Sequence, residues 1–402
     1  MLKEKNMNNI RKLNLFNFFF SLVFLSPVIV FFYQSRGLDL SQIFILESIL
    51  IVVSLLLEVP TGIIADRFGR KVAIVLGGLF FLCEPVIFIF ARGFWPFALS
   101  AALYGVGTAL ISGCIEAMIY EVLKNKKQTH EMTRVMGNWG AAGLLGAAIA
   151  PIVGSFIARN LTFNSYLLLI YMTIAAGMVG WLLSLTLQEY RVGRSGNELR
   201  AKHIFSTTIA ALKNESSLRN LLIFEIITNP LIFVVVYLAQ PYFMSAHVKV
   251  SIFGLIFTVG LLLDALLRKY VYWLRKRLGL WETLFLSLLL PGLLYIALAY
   301  IIHPIYMVVL FVILRGVIGL RLPLLAEYKN NLITDINRST VLSAIAMFVG
   351  AYEAVAIFAL GVLANWNISF VFKLLGLVVT VGAVLFAVVI KKKTHSQIAE
   401  LG

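Results

Sequence analysis

The stretch that decides the fold is Gly62-Ile63-Ile64-Ala65-Asp66-Arg67-Phe68-Gly69-Arg70-Lys71. It is a charged turn between two apolar runs, residues 41–64 and 72–91. Each run is long enough to cross a bilayer, since a spanning helix needs about 20 mostly apolar residues. The pattern therefore predicts two membrane helices joined by a short hairpin that holds one acid and three bases.

The composition of the whole chain also indicates a membrane protein. Its 402 residues are 60% hydrophobic and 13% charged, whereas a soluble domain is roughly 45–50% apolar and about 25% charged. The net charge of +15 is better explained by basic cytoplasmic loops than by nucleic-acid binding. The two cysteines, Cys83 and Cys114, lie within apolar runs, so we expect no disulfide framework. We also expect no cleavable signal peptide.

Twelve apolar runs follow one another along the chain. They cover residues 13–33, 41–64, 72–91, 94–120, 135–158, 165–187, 221–242, 251–267, 280–302, 305–325, 340–364 and 368–390. Because the bilayer core offers backbone groups no water, each run must be a helix. A basic polar stretch separates six runs from six, which predicts an N-terminal six-helix bundle (1–187), a cytoplasmic linker (188–220) and a C-terminal six-helix bundle (221–402). Within the linker, residues 198–214 could form an amphipathic surface helix or a plain connection.

The distribution of bases predicts the topology. With the N-terminus inside, the inner segments hold 27 of the 34 bases. The outer loops hold four, which are Arg36, Arg92, Arg159 and Lys249. By the positive-inside rule, both termini are expected in the cytoplasm of a multi-pass protein of the plasma (inner) membrane.

The charged hairpin resembles the signature loop of the major facilitator superfamily, Gly-x-x-x-Asp-Arg/Lys-x-Gly-Arg-Arg/Lys. Every specified position is met, by Gly62, Asp66, Arg67, Gly69, Arg70 and Lys71. The resemblance implies twelve transmembrane helices in two pseudo-symmetric bundles, and a loop that latches the two halves together in one access state. The alternative is that the loop only anchors the topology through its positive charge. The second half keeps bases and a glycine at residues 275–279 but lacks the acid.

The fifth run carries a second pattern of small residues. It consists of Gly137, Gly146, Ala150, Pro151 and Gly154. This spacing is similar to the antiporter-type motif of the superfamily, with Ala150 and Ser155 in place of two glycines. In the family the motif is associated with exporters that exchange substrate for protons. The alternative is generic helix packing by small residues.

Charges inside the apolar runs are candidates for function. They are Glu47, Glu58, Glu84, Glu116, Glu225, Asp264, Arg315, Arg321 and Glu353. Each would cost roughly 2.5–3.5 kcal/mol at mid-span, so such groups face the bundle interior or a wet cavity. The resemblance implies that the first, fourth, seventh and tenth helices line the cavity. Glu116, Glu225 and Arg315 are then the expected substrate or proton charges.

Four further residues have two interpretations each. Asn14 and Asn17 share a helix face, where they could line the cavity or bond a neighbouring helix. Glu58 and Glu353 lie on helices that meet across the bundle interface in the family, so they are interface charges that could pair structurally or carry protons. Glu121, at the end of the fourth run, is expected to be a solvated end charge.

We interpret the chain as a secondary transporter that works by alternating access and exports small amphipathic compounds or drugs in exchange for protons. One departure is that residues 101–107 lack the arginine of many proton-coupled exporters, and Arg315 is the candidate substitute. The alternatives are a dedicated transporter of a metabolite, siderophore or lipid-like molecule, and a non-transporting membrane sensor. We expect a monomer that contacts lipids, with no enzyme activity, cofactor or metal, because we find no nucleophile–base constellation and no metal-ligand spacing.

Overall fold

The computed structural model describes residues 2–189, 216–332 and 338–399. Within these ranges the backbone forms sixteen α-helices. They are α1 (Leu2–Phe20), α2 (Ile29–Ser35), α3 (Leu40–Phe68), α4 (Arg70–Phe90), α5 (Phe94–Ile111), α6 (Cys114–Asn125), α7 (Met132–Ile157), α8 (Phe163–Leu185), α9 (Ser216–Thr228), α10 (Pro230–Ser245), α11 (Phe253–Leu278), α12 (Leu280–Tyr300), α13 (Pro304–Ile318), α14 (Arg321–Leu332), α15 (Arg338–Trp366) and α16 (Ile368–Ala399). The segment 198–214, where an amphipathic helix was one interpretation, lies outside the described residues.

Ten helical segments in the described ranges are long and apolar enough to cross a membrane. They correspond to ten of the twelve predicted spans. The other two predicted spans, residues 13–33 and 221–242, are each built from two shorter helices. The all-helical membrane fold is therefore confirmed, with interruptions that the apolar pattern did not reveal.

The first span is interrupted near its middle. Helix α1 ends at Phe20, and the chain resumes a helical path only in the 3₁₀ turn Ser26–Val28 that leads into α2. Between them the backbone bonds are short-range turns, such as Leu22 N–H to Phe19 O at 3.2 Å. Pro27 has no N–H to donate and restricts the residue before it, which favours an interruption of the helix at this point.

The seventh span is interrupted more mildly. Helix α9 ends at Thr228 and α10 begins at Pro230. Asn229, between them, keeps helical dihedral angles (φ −64°, ψ −46°). The helical path therefore continues with the loss of the bond that Pro230 cannot donate.

The helices group into two compact units, and one of the boundaries between them falls within α11. The described residues of unit 1 are 2–189 and 249–258. Those of unit 2 are 216–248, 259–332 and 338–399. Part of the core of unit 1 is formed by apolar side chains of α1, α4, α5 and α6, among them Phe16, Ile74, Leu110 and Ile119. The division at a linker of residues 188–220 remains a prediction.

Each unit contains a tight helical hairpin that turns at a glycine. Gly69 joins α3 to α4 with φ 102° and ψ 154°, and Gly279 joins α11 to α12 with φ 94° and ψ 165°. These angles lie in a region that residues with a Cβ rarely adopt. The same backbone turn thus occurs at corresponding places in the two halves, as the remnant of the signature loop at residues 275–279 predicts.

Candidate functional site

The signature loop of unit 1 is held by a carboxylate from a distant part of the chain. Glu189 accepts hydrogen bonds from the backbone N–H groups of Arg70 (3.1 Å) and Lys71 (2.7 Å), which are the first residues of α4. A carboxylate at this position satisfies free N–H groups and complements the positive pole of the helix. Gly69 also leaves room for Glu189, because a Cβ on Gly69 would lie 2.6 Å from a carboxylate oxygen of Glu189.

A buried ion pair joins the loop to the fourth span. The guanidinium of Arg70 pairs with the carboxylate of Glu121, near the end of α6. Glu121 is only 6% exposed, so the expectation of a solvated end charge is wrong. The sequence offered no direct signal for this pair, because the two residues are far apart in the chain.

The other residues of the predicted latch are more open. Asp66 is exposed, and the described part of the chain gives it no hydrogen bond or ion pair. The backbone N–H groups of Arg70 and Lys71 donate to Glu189 and not to Asp66. Arg67 is exposed and stacks over Phe68 at 5.5 Å. Gly62 is exposed on α3, with open space where a Cβ would be.

The small residues of α7 pack against the interrupted first span. A Cβ on Gly146 would lie 2.4 Å from the carbonyl oxygen of Phe18. A Cβ on Gly154 would lie 1.9 Å from the carbonyl oxygen of Phe24. These two glycines therefore let α7 approach the backbone of the first span more closely than any other residue would allow. Gly137, at the other end of the stripe, faces open space.

The same helix makes a second close contact within unit 1. A Cβ on Gly254, in the first turn of α11, would lie 1.8 Å from the carbonyl oxygen of Pro151. Two side-chain bonds flank this contact, from Thr258 Oγ1 to Ala148 O (2.7 Å) and from Ser155 Oγ to Ser251 O (3.2 Å). Ala150 and Pro151 are buried. The stripe on α7 is thus a packing surface for two partners.

Of the two amides of the first span, Asn17 bonds a neighbouring helix. Asn17 Nδ2 donates to the carbonyl oxygen of Trp139 on α7 at 2.8 Å. Gly143 lies against the same amide, since a Cβ there would be 2.5 Å from Asn17 Nδ2. The side-chain oxygen of Asn14 is buried and has no hydrogen-bond partner within the described residues.

Glu116 lies at a break in the fourth span. Helix α5 ends at Ile111, Gly113 takes a left-handed conformation (φ 70°), and α6 begins at Cys114. Glu116 is in the first turn of α6 and is exposed. The break therefore presents a carboxylate at the surface inside a segment that is otherwise apolar enough to span a membrane.

The acids of unit 2 that the sequence singled out are engaged. Glu225 on α9 is 6% exposed and forms an ion pair with Lys329 on α14. Glu353 on α15 is half-buried and accepts a 3.5 Å bond from Asn229 Nδ2. Glu58, in unit 1, is exposed on α3.

Arg315 belongs to a charge cluster between α11 and α13. Arg268 donates two 2.7 Å bonds to the carboxylate of Asp264, and Arg315 Nη1 lies 3.9 Å from the same carboxylate. Gly319 makes this cluster possible, because a Cβ there would fall 1.3 Å from Asp264 Oδ1. Arg315 is thus one of two bases that share a buried acid.

Arg321 is the residue whose importance the sequence reasoning underrated. It begins α14, after the break at Gly319 and Leu320, and it is 1% exposed. Its Nε, Nη1 and Nη2 atoms have no hydrogen-bond partner in the part of the chain that the structure describes. Its type and place in an apolar run were visible in the sequence, but the missing partners appear only in three dimensions.

Comparison with known proteins decides the family of this fold. A family model described as Major Facilitator Superfamily matches residues 13–326. The chain belongs to this superfamily. It is therefore a multi-pass membrane protein of a transporter superfamily, and its structural neighbours are transporters rather than enzymes.

Relatives in this superfamily include proteins named for drug export. Drug efflux pump JefA of Mycobacterium tuberculosis is 28% identical over 124 residues, which are 31% of this chain and 23% of JefA. Multidrug resistance protein 2 of Bacillus subtilis is 31% identical over 145 residues, which are 36% of this chain and 35% of that protein. The matched segments thus span about a quarter of JefA and about a third of the Bacillus protein.

Solved structures share the fold over nearly the whole chain. The nucleoside transporter NupG has a TM-score of 0.78 at 15% identity, covering 96% of this chain and 99% of NupG. A peptide transporter, POT, has a TM-score of 0.74 at 16% identity, covering 95% of this chain and 94% of POT. At these identities the likeness establishes the major facilitator fold and says nothing of substrate.

Proposed function

We propose that this transporter exports small amphipathic compounds in exchange for protons, by alternating access. The observation that carries the proposal is Glu116, an exposed carboxylate at the break between α5 and α6 within a segment apolar enough to span a membrane. The antiporter-type pattern of α7 agrees with this proposal, although its Gly146 and Gly154 also serve helix packing. Two relatives of this chain carry names that describe drug efflux or multidrug resistance, which favours export over import.

Glu116 is the proposed proton carrier. It is an exposed carboxylate within a segment that can span a membrane, and an ionisable side chain at such a place is a candidate for function by default. In contrast, Glu225 is committed to Lys329 and Asp264 to Arg268. A carboxylate that is not held in an ion pair can bind and release a proton without leaving an unpaired base behind.

The signature loop is the proposed latch of one access state. Within unit 1 the loop is held in place by the Arg70–Glu121 ion pair and by the Glu189 carboxylate on the first turn of α4. Asp66, which is exposed, remains available to a partner that is presented in another state. We place the protein in the plasma (inner) membrane as a monomer with both termini in the cytoplasm.

Transport in inverted membrane vesicles tests this proposal. The vesicles contain the full chain, an acidic interior is imposed, and uptake of a panel of cationic, neutral and anionic fluorescent dyes is followed. We expect gradient-driven uptake that falls to the level of empty vesicles for Glu116→Gln. The matched control is Glu131→Gln, which alters a carboxylate paired with Arg134 in the turn before α7 and should leave uptake unchanged.

Two results would count against the proposal. If no dye moves with protein that unfolds cooperatively on heating, a dedicated carrier of a metabolite or lipid-like molecule becomes the better interpretation. If Glu116→Gln transports as well as the unmodified chain, Glu116 has no role in coupling and the proton carrier lies elsewhere.

A further inference from the structure

The guanidinium of Arg321 is buried without a partner, which is rare for this side chain. Arginine stays protonated under all ordinary conditions and carries five N–H donors. Burying such a charge is costly unless it is paired and hydrogen-bonded. In Arg321 all three nitrogens lack a hydrogen-bond partner among the described residues, and the side chain is 1% exposed.

The two acids that act electrostatically on Arg321 both contact other side chains. The charges that act on it come from Glu353, Glu225 and Arg268. Glu225 forms an ion pair with Lys329, and Glu353 accepts a bond from Asn229. Neither acid makes a hydrogen bond to Arg321, whose three nitrogens have no partner within the described residues.

The third acid of this region is committed as well. Asp264 is held by Arg268 through two bonds and lies 3.9 Å from Arg315. Counting these groups together, the bases Arg268, Arg315, Arg321 and Lys329 outnumber the acids Glu225, Asp264 and Glu353 by one. Among these groups, Arg321 is the base that has no hydrogen-bond acceptor within the described residues.

We infer that Arg321 binds a carboxylate or phosphate group of the transported compound, so that the substrates of this transporter are amphipathic organic anions. This inference rests on the proposed function. Arg321 is 1% exposed, so a substrate reaches its side chain only in a state of alternating access that exposes it. A planar carboxylate or a phosphate can accept two parallel N–H bonds from the guanidinium. Buried charges in spanning segments mark substrate or ion pathways by default.

Thermal unfolding of the purified full chain in an uncharged detergent tests the inference without requiring flux. The probes are benzoate and phenyl phosphate, with benzylamine and benzyl alcohol as cationic and neutral analogues, and with sodium chloride to match ionic strength. We expect the midpoint to rise with the concentration of the two anions and to stay constant with the analogues. A rise that is equal for benzoate and benzyl alcohol would overturn the inference.

Variants assign the effect to one residue. Arg321→Gln should abolish the anion-induced shift. Arg321→Lys keeps the charge but loses the planar fork of donors, so it should raise the anion concentration at half-saturation at least about tenfold. Arg277→Gln is the control, because Arg277 is an exposed base that stacks on Trp273 at 3.9 Å in the same unit. If Arg321→Gln does not fold, Arg321→Lys decides, and a shift equal to that of the unmodified chain refutes the inference.

A lipid headgroup carries the same phosphate chemistry, so a further arm adds phosphatidylglycerol to the micelles. A shift with this lipid but none with benzoate or phenyl phosphate would overturn the inference that a transported anion is bound. The vesicle experiment and the unfolding experiment test two different claims. Dye export with no anion-induced shift would refute the anion site alone, whereas an anion-induced shift with no gradient-driven flux would refute the proposed proton coupling alone.

Discussion

The buried charges of this chain differ in how they are neutralised. Glu121 pairs with Arg70, Glu225 with Lys329 and Asp264 with Arg268. In each pair the carboxylate is the more buried partner, at 5–8% side-chain exposure. Loss of the base would therefore leave a carboxylate in a place with little water, which costs more than the loss of the contact itself.

The Arg70–Glu121 pair gives a prediction at this scale. Glu121→Gln keeps the shape of the side chain but leaves the guanidinium of Arg70 without its carboxylate. We expect a destabilisation of about 1.5–3 kcal/mol, the range for hydrogen bonds to charged groups, measured as a lower midpoint of thermal unfolding. Asp66→Asn is the control, because Asp66 is exposed. Its free energy of unfolding should change by no more than about 0.5 kcal/mol. Equal losses in the two variants would contradict our assignment of the pair.

The partners of these charges show why part of the site could not be predicted from the sequence. Spacing and residue type identified the hairpin at Gly69 and its bases, because a turn with φ of 102° depends on local chemistry. The pairing of Arg70 with Glu121 depends on which helix ends lie side by side. That is a property of packing between segments that are distant in the sequence.

At the scale of elements, the spans were predictable and their interruptions were not. Length and hydrophobicity are enough to locate a spanning helix, and ten such segments lie in the described ranges. A break such as that at residues 21–25 is as apolar as the helices beside it, so hydropathy does not detect it. Only Pro27 gives a local signal, and prolines also occur inside unbroken helices of this chain, such as Pro60 in α3 and Pro85 in α4.

The contact between α7 and the first span gives a prediction for an element. In Gly154→Ala the added methyl group would lie 1.9 Å from the carbonyl oxygen of Phe24, so the two segments must separate. We expect a destabilisation of about 1–3 kcal/mol, as for other overpacked sites, seen as a lower midpoint of thermal unfolding.

Gly137→Ala is the matched control on the same helix. No atom lies within 4 Å of a Cβ at Gly137, and alanine favours a helix over glycine by up to about 1 kcal/mol. This variant should be as stable as the unmodified chain or slightly more so. If Gly137→Ala loses as much stability as Gly154→Ala, the close approach of α7 to Phe24 is not the reason that residue 154 must be glycine.

At the scale of the whole molecule, the charge distribution predicts the orientation of the chain in the membrane. The inner segments are predicted to hold 27 of the 34 bases, and insertion retains bases on the cytoplasmic side. The predicted orientation would place the signature loop, Arg70 and Glu121 on the cytoplasmic side. Orientation thus decides which access state the latch would close, and it can be measured independently of transport.

Cysteine labelling in intact cells tests this orientation. In a chain carrying Cys83→Ala and Cys114→Ala, we introduce either Lys249→Cys or Gln128→Cys, both at exposed positions between spans. A maleimide that cannot cross membranes should label Lys249→Cys in intact cells, and should label Gln128→Cys only after the membrane is permeabilised. The reverse pattern would place the termini and the latch outside, because twelve spans keep both termini on the same side. In that case the excess of bases would have to be explained by something other than the positive-inside rule.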